Sequence, residues 1–371
     1  MAINYAEKHS AKVDEAFTIG SITERAVNQD YEFTGVRTIK IHSVPTVDMN
    51  DYARSGSNRY GTPAELEDEV QEVACERDRS FTFTVDKGNS EENSALNAGK
   101  ALRRQVDERV IPEVDRYRLA KMAANAMHTK QGAVSKSNAY ELFLTLNGAL
   151  DDAGAPQTGR IGYVSTTFYN ALKQDSSFIL ASDIAQEMRI NGQLGEVDGV
   201  AILKSAGRLP KGVDLLLTHP VATVGPKKLS EYKVHQDPPG ISGQLVEGRE
   251  IYDAFVLKNK KGAIGVHRGT LVTLEVTNAA GSSATKTKFT AVTGHTGEGN
   301  IPMGKLVYLI ASNPTAPELG ADISNTTTYP ELTLGAEINV TSGHKYIIAL
   351  KDQNGKCIGV SAKAEVTVGG T

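Results

Sequence analysis

Gly299, Gly304 and Lys305 are spaced as G-x-x-x-x-G-K, the opening of a loop that cradles phosphates with backbone N–H groups and a lysine. Leu306 stands where a serine or threonine would hold magnesium, and the next run reads as a strand, not a helix. The match stops there. Asp48-x-Asn50 begins like a calcium loop, yet Tyr52 replaces the next oxygen ligand and no suitable Gly and Glu follow. His219 and His235 lie near Asp214 and Asp237 in sequence, but a lone His beside Asp is more often a hydrogen-bonded structural residue than half of a catalytic pair. No G-x-S-x-G elbow and no H-E-x-x-H pair occurs. The reading is no catalytic, cofactor-binding or metal site.

The elements that would position such groups point the same way. Tyr31–Val44 and Arg79–Asp86 read as strands, the second with Phe81, Phe83 and Val85 on one face and Ser80, Thr82 and Thr84 on the other. Residues 45–78 between them are long, polar and poor in core residues, and such a segment in a compact domain is functional or disordered. It reads as an arm that lies on a neighbouring subunit. The acidic run at its tip, Glu65, Glu67, Asp68, Glu69, Glu72, Glu76 and Asp78, reads as a solvated helix face, with a docking surface for arginines as the alternative.

From about Ser94 to Met127 the period changes. Leu102, Val106, Val110, Val114 and Tyr117 recur at three- and four-residue steps, the stripe of an amphipathic helix, and Pro112 should make it kink or restart near Arg109–Ile111. A second helix is expected over Ala139–Ala153, stopped by Gly154 and Pro156. Strands are expected at Arg160–Ser165, Val197–Leu203 and Val213–Thr218, and short helices at Thr167–Gln174 and Ser182–Met188. The prolines between Lys204 and Gly248 imply loops at an edge or apex. Ala254–Lys258 and Ala263–His267 then resume regular structure around the basic turn Asn259–Gly262. After Gly269, short Thr- and Val-rich runs alternate with turns, the signature of a separable all-β sandwich or barrel.

The chain has 371 residues, 40% hydrophobic and 23% charged, enough for two or three domains with a real core. A formal charge of −4 argues against binding driven by phosphate neutralisation. Cys75 and Cys357 are the only cysteines, in no metal-binding or disulfide pattern, which fits a reducing compartment. The charged N-terminus lacks an apolar signal-peptide core, and no run approaches a membrane span.

Six blocks in register carry a family likeness: KVDEAF (12–17), DYEFTGVRTIKI (30–41), DYARSGSNRYG (51–61), DRSFTFTVDKGNSEENS (78–94), VIPEVDRYRLAKM (110–122) and DAFVLKNKKGAI (253–264). On these the chain resembles the major capsid proteins of tailed bacteriophages, with the Hong Kong 97 phage-type fold, over roughly residues 1–270. The resemblance implies an α+β architecture. Its parts would be an N-terminal arm (1–30), an extended hairpin loop (31–88) and a peripheral domain with a long spine helix (89–134). A mixed α/β axial domain (135–245) and a return to the peripheral domain (246–269) would follow. Residues 270–371 depart from the minimal fold and are expected to form an additional β-rich, immunoglobulin-like domain on the outer face.

The same resemblance implies a shell protein assembling into hexamers and pentamers, without enzymatic activity. Its inter-subunit contact candidates are Asp51, Tyr52, Arg54 and Arg59 at the loop tip, Arg77, Asp78 and Arg79 at the loop base, and Arg103, Arg104, Asp115 and Arg118 on the spine helix, with Pro112 as the kink. It implies assembly in a host cytoplasm into a virion, packaged double-stranded DNA held without sequence specificity, a portal, a scaffold and decoration proteins, and no membrane. No long coiled-coil segment precedes residue 30, so the scaffold is expected to be separate or already removed. Lys40 and Lys87 are available for a lysine–asparagine cross-link, but no spacing supports that chemistry. A bacterial encapsulin-type compartment is the alternative within the fold, and a surface adhesin the alternative from another class.

Overall fold

A computed structural model of the chain describes residues 20–28, 38–43, 47, 49–63, 65, 69–87, 98–176 and 195–370. The arm before residue 20, the strand reading over 31–37, residues 88–97 and the helix read over Ser182–Met188 lie outside these.

The centre is a six-stranded mixed sheet in the order β4-β13-β8-β5-β7-β6. Its strands are β4 (His128–Gln131), β5 (Arg160–Val164), β6 (Glu196–Val197), β7 (Val200–Lys204), β8 (Val213–Thr218) and β13 (Ile264–Arg268). β8 runs antiparallel to both β5 and β13, while β5–β7 and β13–β4 are parallel pairs. The leucine run of β8 shows why the sheet is covered on both sides: Leu216 joins one core and Leu215 and Leu217 the other, as a two-residue period requires.

One core is closed by Phe143, Leu146 and Leu150 of helix α3 (Ala139–Asp152) and Phe168 and Leu172 of α4 (Thr166–Gln174). The other is closed by Leu119, Met122 and Ala123 of the spine helix, together with Ile22, Ala26 and Val27 of the N-terminal segment. The described part of the N-terminal arm thus packs on its own chain.

The spine consists of helix α1 (Ala98–Gln105), a π-helical turn over Val106–Val110 and helix α2 (Ile111–Ala124). Within the wide turn the Ile111 N–H reaches back five residues to the Val106 carbonyl. Pro112 follows directly; Gln105, Val110 and Ile111 are all helical, so its missing N–H falls inside a continuous spine and is taken up by the wide turn. α2 is buried nearly all round, which explains why its sequence departs from a clean amphipathic stripe.

Several sequence expectations are corrected. β1 (Thr38–Ser43) pairs with β2 (Glu69–Ala74), not with β3 (Arg77–Asp86). Within the acidic run, residues 69–74 are therefore strand, not helix, while Glu67 and Asp68 lie outside the described residues: Gln71, Val73 and Cys75 face inward at a period of two, leaving Glu72 and Glu76 outward. Val73 packs on Val224, Phe255 and Leu257, and the Gln71 amide bonds the Val256 carbonyl and the Lys258 N–H.

The proline-rich stretch between Lys204 and Gly248 is likewise more regular than expected. β10 (Lys227–Gln236) and β11 (Gly243–Tyr252) form a long hairpin, and β3 pairs with β11 over its whole length. Pro226 precedes these strands, and Pro238 and Pro239 lie in their turn, so the prolines bracket the ladder without interrupting it. The boundary drawn at 245/246 falls inside β11.

Beyond Gly269 the chain forms β14 (Val272–Ala280), β15 (Lys286–Thr293), β16 (Lys305–Ala311), β17 (Glu337–Asn339), β18 (Lys345–Lys351), β19 (Cys357–Ser361) and β20 (Ala364–Glu365). β14 holds the sheet together, pairing in parallel with β19 over 272–274 and antiparallel with β15 over 275–280. Phe289, Tyr346, Ile348 and Leu350 fill one core, and Val307, Ile323, Ala349 and Cys357 another. β19 carries Gly359 at its centre. The glycine is there because a Cβ would stand 2.8 Å from the Val272 carbonyl oxygen. This region also packs on the rest of the chain: Ile301 shares a core with Val114, Tyr117 and Ala120 of α2 and with Tyr252 and Ala254.

Candidate subunit interface

The loop tip folds on itself. The Ala53 N–H bonds the Arg59 carbonyl at 3.0 Å, Gly61 N–H bonds Asn58 O at 3.1 Å, and the Arg59 Nε donates to Gly56 O. Tyr52 and Tyr60 meet edge to face with ring centroids 5.1 Å apart. Among the described residues this order serves no core. Met49 is 99% exposed, Tyr60 85% and Tyr52 52%, with Val47 beside them. Large apolar side chains gathered on a surface mark an interaction site. Asp51, Arg54 and Arg59 rim them, all exposed, and neither arginine has an ion-pair partner among the described residues. Sequence reading found Tyr52 and the charges but not Met49 or Tyr60.

At the base of the loop the predicted charges are already paired within the chain. Arg77 and Arg79 both reach Glu113 Oε1, at 3.1 and 2.8 Å, and Asp78 holds Arg249 through two bonds of 2.9 and 2.7 Å. On the spine, Arg104 lies 2.8 Å from Glu108 and Arg103 3.8 Å from Asp107, both i,i+4 pairs. The two helix pairs are solvent-screened, so a neighbour's carboxylate can replace the partner at little cost. Arg109, exposed beside them, has no ion pair among the described residues.

Asp115 and Arg118 do something else, and their assignment as contact residues is corrected. Asp115 is wholly buried and accepts hydrogen bonds from Ser21 Oγ at 2.8 Å, Ile22 N–H at 3.0 Å, Thr23 Oγ at 2.5 Å and the Arg208 guanidinium. Arg118, 1% exposed, donates to Thr23 Oγ and the Gly225 carbonyl and faces Glu24 at 3.9 Å. Burial lowers the Arg118 pKa, and Glu24 and Asp115 offset part of that. Tyr163 adds a bond from its hydroxyl to Ile22 O, and burial, then Asp115, raise its pKa. Together these residues fasten the N-terminal segment to the spine. Neither Asp115 nor Arg118 reaches the surface.

The chemistry considered in the sequence is not assembled. His219 bonds Thr158 O and the Val221 N–H, and His235 faces Glu247; neither meets its sequence-neighbour aspartate. Asp214 instead accepts from Ser165, and Asp237 from the Gly243 N–H. Cys75 and Cys357 are buried thiols, the latter pushed up to about 11, chiefly by burial. No cluster of three or more His, Cys, Asp or Glu side chains suited to a metal occurs among the described residues. Among them also, no helix is long and apolar enough to cross a membrane.

No model of a known protein family matches the chain, and no curated protein matches it in sequence. Solved structures do. A structure from Mycobacterium phage Che8 is 19% identical, with 72% of this chain and 98% of that one covered at a TM-score of 0.59. The capsid of the cyanophage P-SCSP1u is 13% identical (71% and 92% covered, TM-score 0.58). The mature capsid of bacteriophage PhiM1 is 11% identical (71% and 91% covered, TM-score 0.56). The chain has the fold of tailed-phage major capsid proteins.

Proposed function

We propose that this chain is the subunit of a tailed-phage head, a structural protein that assembles with copies of itself into hexamers and pentamers of an icosahedral shell around double-stranded DNA. The observation that carries the reading is the exposed Met49–Tyr52–Tyr60 surface at the end of a loop, in a chain with a capsid fold. An isolated subunit gains nothing from ordering those side chains in water; a neighbour that covers them does.

Under this reading residues 31–88 overlap an adjacent subunit, 89–134 and 246–269 form the peripheral domain and 135–245 the axial domain. Residues 270–371 form an immunoglobulin-like addition on the outer face. Residues 1–269 make up about 73% of the 371, close to the 71–72% of the chain that the capsid structures cover. The charge of −4 supports a lumen that does not bind the genome tightly. Scaffold, portal and decoration proteins would be its partners, host cytoplasm its place of assembly and the virion its destination.

Electron microscopy of the purified protein is the test. Closed shells are the expected result, with DNA inside native particles. Monodisperse monomers at high concentration would refute self-assembly, and native shells filled with protein cargo would replace the phage head by a bacterial compartment.

A further inference from the structure

The near phosphate-loop at Gly299–Lys305 serves packing. Residues 295–303 form a closed turn, with Gly297 N–H bonded to Ile301 O at 2.8 Å and Met303 N–H to His295 O at 3.0 Å. The turn lies on the middle of α2. Gly299, at φ +72°, leaves no room for a side chain: a Cβ would stand 2.8 Å from the Tyr117 ring. At Gly297 a Cβ would lie 3.0 Å from the Cβ of Ala120. Glu298 pairs with Arg116 at 3.2 Å, and Ile301 is buried among Val114, Tyr117 and Ala120.

A second turn holds the strand that follows the helix. Asp352 accepts from Thr129 Oγ at 3.1 Å and Gln131 Nε2 at 3.0 Å, while its other oxygen fixes the turn by accepting from the N–H groups of Asn354 and Lys356. The Asn354 amide donates to Thr129 Oγ at 2.8 Å and Met127 O at 3.3 Å. Arg268, at the end of β13, is buried near Asp352; burial brings it down to about 10, with the Asp352 charge acting against that shift.

We infer that residues 270–370 act as an intramolecular clamp: the turns 295–303 and 352–356 grip α2 and β4, and so hold the spine in the position the central sheet requires. Three observations exclude a passive attachment. The contacts are made by two turns far apart in sequence, both reach the same helix–strand unit, and the first removes side chains at two positions to bring backbone against the helix. Tyr117 is the hub. Its hydroxyl donates to Asp253 at 2.7 Å, its ring meets Tyr252 edge to face, and Arg77 and Lys121 lie 5.2 and 5.5 Å from its centroid. The turn over Tyr117 thus bears on the helix, on β12 (Phe255–Val256) through the preceding Asp253, and on the β3–β11 ladder at once. This inference does not depend on whether the chain builds a shell.

Hydrogen exchange on the unassembled full chain tests it. Gly297→Leu is a wedge, at a backbone conformation of φ −87° that leucine tolerates. It should speed exchange across Val114–Ala124 by roughly tenfold or more, well beyond its effect on α3, because those amides would open without global unfolding. The paired variant Glu298→Ala with Asn354→Ala removes surface groups only and should shift the same amides in the same direction, which preserves the test if the wedge does not fold. Unchanged protection of Val114–Ala124 in a folded variant, with exchange altered only within 270–370, overturns the clamp.

Discussion

The carboxylate of Asp115 accepts from the guanidinium of Arg208, 93 residues away in sequence, and the same carboxylate collects donors from residues 21, 22 and 23. One side chain on the spine therefore joins the N-terminal segment, the helix and the loop before β8. A buried carboxylate with this many donors is stable only while all are present, because each unpaired member keeps its desolvation cost.

Asp115→Asn tests the joint. It preserves size but removes the charge that Arg208 and Arg118 face in a dry setting, so the expected cost is about 3–5 kcal/mol of unfolding free energy. Urea denaturation measures it. Glu24→Gln is the control, since Glu24 is half exposed and its bonds to Lys227 and Arg118 are long; there the expected loss is under about 1 kcal/mol.

A second prediction concerns acid. His267 on β13 is fully buried, and neither ring nitrogen has a hydrogen-bond partner. It lies opposite Leu215 of β8 and Lys130 of β4, with the Phe168 ring 6.2 Å away and Asp214 the nearest opposing charge. Burial lowers its pKa from 6.5, and Asp214 offsets part of that. The unfolded chain then binds the proton more readily, so the neutral histidine contributes stability that is present above 6.5 and lost as pH falls below it. Between pH 7 and 5 the wild type should lose more unfolding free energy than His267→Gln. Parallel pH profiles for the two proteins would show that His267 does not titrate differently on folding. His219 is lowered for the same reason and remains in both proteins, so the difference isolates His267.

These two residues also show what sequence alone reveals here. The leucine run of β8, the strand β5 and the stop of α3 at Gly154 are legible because each depends on neighbours in the chain. Asp115 was read as a surface contact because its donors come from residues 21–23 and 208, which nothing local announces. The glutamates around β2 suggested a solvated helix, since the inward Gln71–Val73–Cys75 face is short and only partly apolar. The capsid likeness was visible as ordered blocks up to residue 264, whereas the tip's exposed Met49 and Tyr60 depend on what lies behind them, which is a property of three dimensions.

Pro112 supports a third prediction. It stands just after the π turn, inside a continuous helix whose wide turn takes up the missing N–H, so Pro112→Ala should change the stability of the isolated chain by less than about 1 kcal/mol. Its effect should fall on the turn itself. With a donor restored at 112, the Val106–Val110 stretch can revert to α geometry, and its amides should exchange more slowly. If the spine's bend shapes the subunit, particles of the variant should differ in size or yield; unchanged exchange and unchanged particles would make Pro112 a tolerated first-turn residue and no more.

The loop tip carries the last prediction. Its internal bonds, Ala53 to Arg59 and Gly61 to Asn58, are too few to shield a segment whose tyrosines and methionine face water, so unassembled protein should be cut by protease between Asn50 and Glu76. In particles the same bonds should survive, because a neighbour's surface would cover Met49, Tyr52 and Tyr60 and remove the local opening that cleavage needs. Met49→Asp with Tyr60→Asp separates folding from assembly. Both side chains are exposed in the single chain, so the unfolding free energy should move by no more than about 0.5 kcal/mol, while shell formation should fall sharply as charge is placed in a surface that must become dry. Equal cleavage of particles and free subunits, or normal shells from the double variant, would mean that the tip stays in solvent and that subunits are joined elsewhere.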